Sequence, residues 1–336
     1  MHIKFRDIDI EVTNRCNATC DFCPREMTPK QGFMAFDVFE QSVKRIKELN
    51  LGENLRVSIT GLGEPTLHPR LVDCVKHLAD NGITPAVTSN GSRLTPELIE
   101  RLLDAGLKKM VLSVSDLHER YNKIYGLDFD KVLPCIDDFI ARSRGRCFVQ
   151  ITVVKHQDNQ DYVDDVVKFW EQRGVDYVHL MREENRAGSH DVLFNFQKDD
   201  RYRQEAMDTL HEKGLTDICS APFYGVFIGW AGQYNLCCMD WEKKVPLGNV
   251  FDHSIHDVDL KKLAYVERHQ GICADCSMNP VNDLREVFYE VEQGIRGPFA
   301  IANKTKGLCN GRSRQREMKE ALDDMGYVPR IIAHQS

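Results

Sequence analysis

The stretch Cys16-Asn17-Ala18-Thr19-Cys20-Asp21-Phe22-Cys23 decides how this chain is read. Its three cysteines are spaced by four and three positions and follow a strand-like run over residues 8–13. Three thiolates in one short loop can hold three irons of a cubane iron–sulfur cluster, which leaves the fourth iron without a protein ligand. A vacant iron can bind a small molecule, and that separates a catalytic cluster from one that only relays electrons. Zinc is the competing reading, because close cysteine pairs often hold it. A structural zinc site wants a fourth nearby ligand, and none lies within the next thirty residues; the nearest downstream histidine is His68.

The surrounding composition bounds the answer. A chain of 336 residues exceeds what one small core needs, so one large barrel, or a barrel with an appendage, fits. Hydrophobic content of 42% and charged content of 28% describe a soluble globular protein. No signal peptide and no apolar run of membrane-spanning length is present, which leads to the expectation of a cytoplasmic protein without membrane contact. The net charge is −7 and no basic stripe is seen, which argues against a nucleic-acid partner. Twelve cysteines in a reducing compartment point to metal rather than disulfides. Cys74, Cys135 and Cys147 stand alone in apolar contexts and read as buried small hydrophobes.

Residues 7–181 alternate strand-like and helix-like segments. Strands are expected over 7–13, 55–60, 83–89, 109–115, 147–154 and 177–181. Helices are expected over 36–49, 69–81, 95–105, 129–143 and 159–173, with Thr95 as N-cap before Pro96. Repeated βαβ units imply an α/β fold with a parallel sheet and right-handed crossovers. In such folds ligands sit at the carboxyl ends of the strands, where the cysteine loop falls. Periodicity alone leaves open sheet and barrel undecided. Beyond residue 190 the pattern changes: a helix over 199–213, a hairpin of strands 223–230 and 233–238 around Ala231-Gly232, and helices over 255–267, 280–293 and 313–325. The boundary between the two regions is expected near residue 210, giving domains 1–210 and 211–336.

The C-x3-C-x2-C pattern, with an aromatic residue before its last cysteine, resembles the signature of the radical S-adenosylmethionine (SAM) enzymes. In that family the methionyl amine and carboxylate chelate the open iron, and one electron cleaves SAM to methionine and a 5′-deoxyadenosyl radical. The resemblance implies a partial (β/α)6 TIM-like barrel, open on one side. It also implies a [4Fe–4S] cluster on Cys16, Cys20 and Cys23, with Phe22 near the adenine. Gly61-Leu62-Gly63-Glu64-Pro65, after the second strand, is similar to the family's G-G-E-P element, which holds the SAM ammonium group. Read without the cysteines it is a strand-to-helix loop whose glycines permit close approach. Thr88-Ser89-Asn90-Gly91 is a turn signal by itself, and the resemblance adds contacts from Ser89 and Asn90 to SAM's ribose and carboxylate. Ser113 matches a position of similar duty, and Gln150 and Thr152 are further candidates on the fifth strand.

Cys219, Cys237, Cys273 and Cys276 form a second set, closed by the C-x-x-C of its last two members. Four thiolates suit zinc or a fully ligated [4Fe–4S] cluster. The arrangement resembles the twitch domain, the shortened form of the SPASM extension of radical SAM enzymes, which implies a small C-terminal α+β domain with one auxiliary cluster. Cys309 is a leftover ligand candidate. Cys238 and Asp240 directly follow the hairpin cysteine. Cys238 reads as a hydrogen-atom donor or as a buried inert thiol. Asp240 reads as a substrate-binding or proton-accepting carboxylate or as a turn cap.

Glu184-Asn185-Arg186-Ala187-Gly188, after the sixth strand, resembles the Asn-Arg-Gly-Gly stretch of twitch-type aminocyclitol dehydrogenases, whose arginine contacts substrate. Eighteen positions separate Cys219 from Cys237, the spacing found in those enzymes. The resemblance implies SAM-consuming dehydrogenation of a secondary alcohol on a cyclitol or sugar-like molecule, a polar small-molecule substrate. It also implies a reducing partner such as flavodoxin or ferredoxin. The alternatives are an epimerase using Cys238, a peptide-modifying enzyme, and a non-catalytic zinc or electron-transfer protein. The cluster loop begins at residue 16, which leaves no room before it for a peptide-recognition domain and lowers the peptide option. Metal analysis separates the classes. Anaerobic reconstitution is expected to load about eight irons per wild-type chain and about four when Cys16, Cys20 and Cys23 are all changed to Ala; two zincs in the wild type would end the enzyme reading.

Overall fold

A computed structural model describes residues 7–28, 30–52, 55–182 and 201–310. Eight strands form one sheet in the order β6-β5-β4-β3-β2-β1-β7-β8. They are β1 (Asp7–Ile10), β2 (Arg56–Ile59), β3 (Thr84–Ser89), β4 (Lys109–Ser113), β5 (Phe148–Lys155), β6 (Tyr177–Arg182), β7 (Gly225–Ile228) and β8 (Tyr234–Asn235). The first six are parallel neighbours in sequence order. A doubly wound sheet would reverse its strand order at a switch point; this one never does, so its crossovers wind in one direction and the sheet is that of an open, partial barrel. No pairing of β6 with β8 or β1 closes it among the described residues.

The helices follow from apolar spacing. On α1 (Phe36–Lys47), Phe39, Val43 and Ile46 fall on one buried stripe. α2 (Leu71–Asp80) buries Leu71, Cys74, Val75 and Leu78, and α3 (Pro96–Asp104) buries Ile99, Leu102 and Leu103. Thr95 caps α3 as expected, its hydroxyl accepting from Leu98 N at 3.2 Å. α4 (His118–Tyr125) was not expected from sequence: it is mostly polar and its N-cap is Leu117, so neither an apolar run nor a capping side chain announces it. It ends at Gly126, whose φ of 62° is left-handed. α5 (Phe129–Ser143) and α6 (Val163–Glu171) complete the barrel helices, with Phe129, Phe139 and Trp170 fully buried.

The chain divides into two compact units, but not at residue 210. The larger takes in residues 7–195 and 225–258, and the smaller includes 196–224 and 259–336. The physical reason lies in the hairpin. Expected to belong to the C-terminal region, it instead extends the barrel sheet, because β7 pairs parallel with β1, Ile8 opposite Val226 and Ile10 opposite Ile228. β8 then folds back antiparallel on β7. Arg45 of α1 holds the segment beyond, its Nε donating to Val250 O at 2.8 Å.

Within the smaller unit, α7 (Arg201–Glu212) packs on α10 (Pro280–Glu292). Ala206, Met207, Leu210, Val281 and Leu284 form its core, and Tyr202 stacks on Phe288 with centroids 6.5 Å apart. α8 (Ala221–Tyr224), most of α9 (Ile255–Val266) and α11 (Ala300–Asn310) complete it. The helix expected over 313–325 lies outside the described residues. No helix of the described residues is long and apolar enough to cross a membrane. Leu210 is fully buried between α7 and α10. Leu210→Ala is therefore expected to lower stability by ~2–5 kcal/mol, read as a shift in the chemical denaturation midpoint.

Candidate functional site

The cysteine loop leaves β1 and is closed at its base. Thr13 Oγ1 donates to Gly32 O at 2.7 Å, and Asn14 both donates to Lys30 O at 2.7 Å and accepts from Gly32 N at 2.9 Å. Inside the loop, Cys23 N donates to Cys20 O at 3.0 Å, a turn that draws the last two cysteines together. Thr19 N donates to Tyr125 O at 2.9 Å, so α4 supports the loop from below. A Cβ at Gly126 would collide with Thr19 Oγ1, which explains the glycine there. Phe22 packs edge-on against Tyr125, with centroids 5.9 Å apart, and tilts against His156 at 6.1 Å.

Cys16, Cys20 and Cys23 are all partly exposed. Burial pushes the Cys16 and Cys20 thiols up, and the charges of the neighbouring cysteines push them further. Three thiolates crowded into one loop repel one another until a cation neutralises them, so metal binding there is coupled to proton release. This donor set fits the three-cysteine side of an iron–sulfur cluster.

Glu64 is the centre of the adjoining loops. It is 1% exposed, and its carboxylate accepts four hydrogen bonds. Oε1 takes Thr66 N at 3.0 Å, Thr66 Oγ1 at 2.7 Å and Ser89 Oγ at 2.8 Å, while Oε2 takes Asn90 N at 2.7 Å. Burial raises its pKa and these donors oppose the rise. The expected SAM-loop residues Glu64, Ser89 and Asn90 are thus brought together at the ends of β2 and β3. Asn90 Nδ2 reaches Asn17 Oδ1 at 3.1 Å and Cys16 Sγ at 3.9 Å, which joins that corner to the cysteine loop. Gly63 has a different task from the one expected: a Cβ there would run into Thr13 O and Arg15 O, so its bareness lets two loops approach each other. A Cβ at Gly61 would strike the Glu11 side chain. Farther round the barrel, Ser113 hydrogen-bonds the Tyr125 hydroxyl, and Gln150 Nε2 donates to Thr152 Oγ1 at 3.2 Å.

Two constellations at the strand ends escaped the sequence reading. Asp116, beyond β4, and His156, beyond β5, form a buried pair with Nε2 to Oδ2 at 2.7 Å. His156 Nδ1 accepts from Asp158 N at 3.3 Å, which assigns the ring proton of that pair to Nε2. Forty positions separate the two residues, so only the parallel pairing of their strands unites them. The other is Glu11 with Lys243, Oε1 to Nζ at 2.5 Å, separated by 232 positions.

The second cysteine set is split between the units. Cys219, Cys273 and Cys276 lie in the smaller and Cys237 in the larger. In the smaller unit the C-x-x-C turn is clamped by Asn282, whose Nδ2 donates to Ala274 O at 2.8 Å and Cys276 O at 3.1 Å. Asn279 Nδ2 adds a bond to Cys273 O at 3.2 Å, and Cys219 Sγ donates to Met278 O at 3.5 Å. Three thiols grouped about one rigid turn suit an iron–sulfur centre or zinc. Cys238 is exposed, so the reading of a buried inert thiol is corrected: the residue before it takes the buried place. Asp240 is 2% exposed, and its two oxygens accept from Lys244 N at 2.9 Å and Leu236 N at 3.3 Å. That is the turn-capping alternative, and it replaces a substrate-facing carboxylate. Burial lifts Asp240 to about 6, with the backbone donors acting against it. Arg186 lies outside the described residues. Of the lone cysteines, Cys74 and Cys147 are buried and Cys135 is half-buried.

Residues 10–169 match the radical SAM superfamily, and residues 219–277 match SPASM, an iron–sulfur cluster-binding domain. A cofactor-modifying protein for tungsten-containing aldehyde ferredoxin oxidoreductase from Pyrococcus furiosus is 24% identical over 177 residues, which is 50% of this chain and 48% of that protein. A probable GTP 3′,8-cyclase from Thermococcus kodakarensis is 31% identical over 173 residues, 50% of this chain and 54% of that one. The matched region thus spans about half the length of these curated relatives. BtrN, solved with AdoMet and 2-DOIA, is similar in structure with a TM-score of 0.56 and 18% identity, covering 82% of this chain and 94% of BtrN. The enzyme anSMEcpe with AdoMet gives a TM-score of 0.62 at 15% identity, over 89% and 99% of the two chains. Streptococcus suis SuiB bound to its precursor peptide SuiA gives 0.60 at 15%, over 84% and 73%. At these identities the structural likeness establishes the fold.

The contact at Gly63 supplies a direct test of how the two loops are held. Gly63→Ala is expected to cost ~1–3 kcal/mol by overpacking and to reduce the iron bound after reconstitution, measured by denaturation and iron assay.

Proposed function

We propose that this chain, a radical SAM protein with a SPASM-type iron–sulfur domain, dehydrogenates a secondary alcohol on a cyclitol or sugar-like substrate. The observation that carries the reading is the pairing of a three-thiol loop with a separate four-thiol set in one chain. Cys16, Cys20 and Cys23 would hold the SAM-binding cluster, and Cys219, Cys237, Cys273 and Cys276 the auxiliary one. When bound, SAM and the clusters supply a radical that removes a hydrogen atom from a C–H bond and an acceptor for the electron left behind.

The chain's own residues do the rest. Phe22, backed by Tyr125 and His156, offers a flat apolar wall for the adenine. Gly61, Gly63 and Glu64, with Ser89, Asn90, Ser113 and Gln150, line the strand ends with polar groups for the remainder of SAM. Arg186 would stand at the substrate's reacting oxygen and stabilise its negative charge as the hydroxyl proton leaves, an effect largest where water is excluded. Loss of one hydrogen atom, one proton and one electron converts the alcohol to a ketone and closes the balance. A small reducing protein such as flavodoxin or ferredoxin would supply the starting electron.

One observation favours a second reading. The exposed Cys238 thiol is open to a substrate, as an epimerase's hydrogen-atom donor must be. The two readings separate in one experiment on reconstituted protein with SAM, strong reductant and cyclitols or aminosugars in deuterated buffer. A dehydrogenase is expected to yield one ketone per 5′-deoxyadenosine, no deuterium at the reacting carbon, and unchanged turnover in Cys238→Ala. Deuterium at that carbon, lost in Cys238→Ala, would establish the epimerase. 5′-Deoxyadenosine with neither product would count against both.

A further inference from the structure

The Glu11–Lys243 pair plays no part in any chemistry considered so far, yet it joins two functional segments of the larger unit. Glu11 directly follows β1, five positions before Cys16. Its Oε2 accepts from Leu62 N at 3.2 Å, within the Gly61-Leu62-Gly63-Glu64-Pro65 loop. Its side chain also occupies the space beside Gly61 that a Cβ would need. Glu11 is therefore in contact with that loop through both a charge-assisted hydrogen bond and packing. The carboxylate is 8% exposed at the side chain, and it is held from the other side by Lys243 Nζ at 2.5 Å.

Lys243 is placed by the turn that follows Cys237. Asp240 caps that turn through Leu236 N and Lys244 N, and Lys243 N donates to Asp240 O at 3.0 Å. Lys243 adopts a φ of 57°, a left-handed conformation that a non-glycine residue takes only when its surroundings enforce it. Both ends of the ion pair are thus fixed by backbone contacts. A nearly buried carboxylate deprived of its cation would be left uncompensated and would move or take up a proton.

We infer that Lys243 is a positioning residue for SAM binding: through Glu11 it fixes the Gly61–Pro65 loop, and so ties the segment after Cys237 to SAM affinity. This rests on the reading above that the loop holds SAM. The test is titration of SAM into reconstituted full-length protein, following the change in the electron paramagnetic resonance signal of the reduced cluster. Lys243→Met is expected to raise the SAM dissociation constant roughly tenfold, the scale of one charge-assisted hydrogen bond. In a Glu11→Gln background the same substitution is expected to change it less than about twofold, because Lys243 acts through Glu11. Wild-type affinity in Lys243→Met, or an equal loss in both backgrounds, overturns the inference. If Lys243→Met does not load iron, Glu11→Gln alone decides: a roughly tenfold loss supports it, and wild-type affinity overturns it. Failure of the wild-type protein to bind SAM would instead sink the reading of the loop, so the two failures are distinct.

Discussion

A carboxylate removed from water has to be supplied with donors, and Glu64 draws its four from several turns of chain. Thr66 lies in its own loop, while Ser89 and Asn90 come from the end of the neighbouring strand. Its backbone N–H reaches Arg15 O at 2.8 Å, in the approach to the cysteine loop. Desolvation makes the charge costly, and the donors offset that cost only while all of them are present. The ends of β1, β2 and β3 are consequently held in one arrangement. The bare Gly63 backbone is the steric condition for this, and the loops that would face a cofactor inherit their geometry from it.

Single-direction winding of the sheet extends the same order around the barrel. Because β1 to β6 are parallel and consecutive, every strand ends at the same rim, and every loop leaving that rim can contribute to one site. The Asp116–His156 pair shows how this works: two unremarkable positions become hydrogen-bonded because β4 and β5 are neighbours in register. On the other flank β7 joins β1, so a hairpin from far along the chain becomes part of the barrel sheet. Cys237, Cys238, Asp240 and Lys243 thereby belong to the larger unit, while Cys219, Cys273 and Cys276 belong to the smaller.

Much of this was legible in local pattern. The boundaries of α5 agree with the spacing of its apolar residues, and the Thr95-Pro96 start of α3 carries its own capping chemistry. The cysteine spacing announced the loop, and the radical SAM and SPASM matches cover both cysteine sets. What failed did so for identifiable reasons. α4 has no cap and few apolar positions, and tertiary contacts to Phe22 and Thr19 hold it in place. The hairpin's allegiance depended on which exposed edge it would pair with, and a strand's own sequence does not state its partner.

The amino-acid sequence by itself determined the alternation of strands and helices, the two thiol sets and the chemistry they suit. Each of these depends on residues close together along the chain, where periodicity and spacing translate directly into geometry. Only the tertiary structure decided that Gly63 serves loop-to-loop approach, that Asp240 caps a turn, that Cys238 is exposed, and that Glu11 meets Lys243. Those outcomes depend on which distant backbones come within hydrogen-bonding distance, and that follows from strand order and burial, which no local pattern contains.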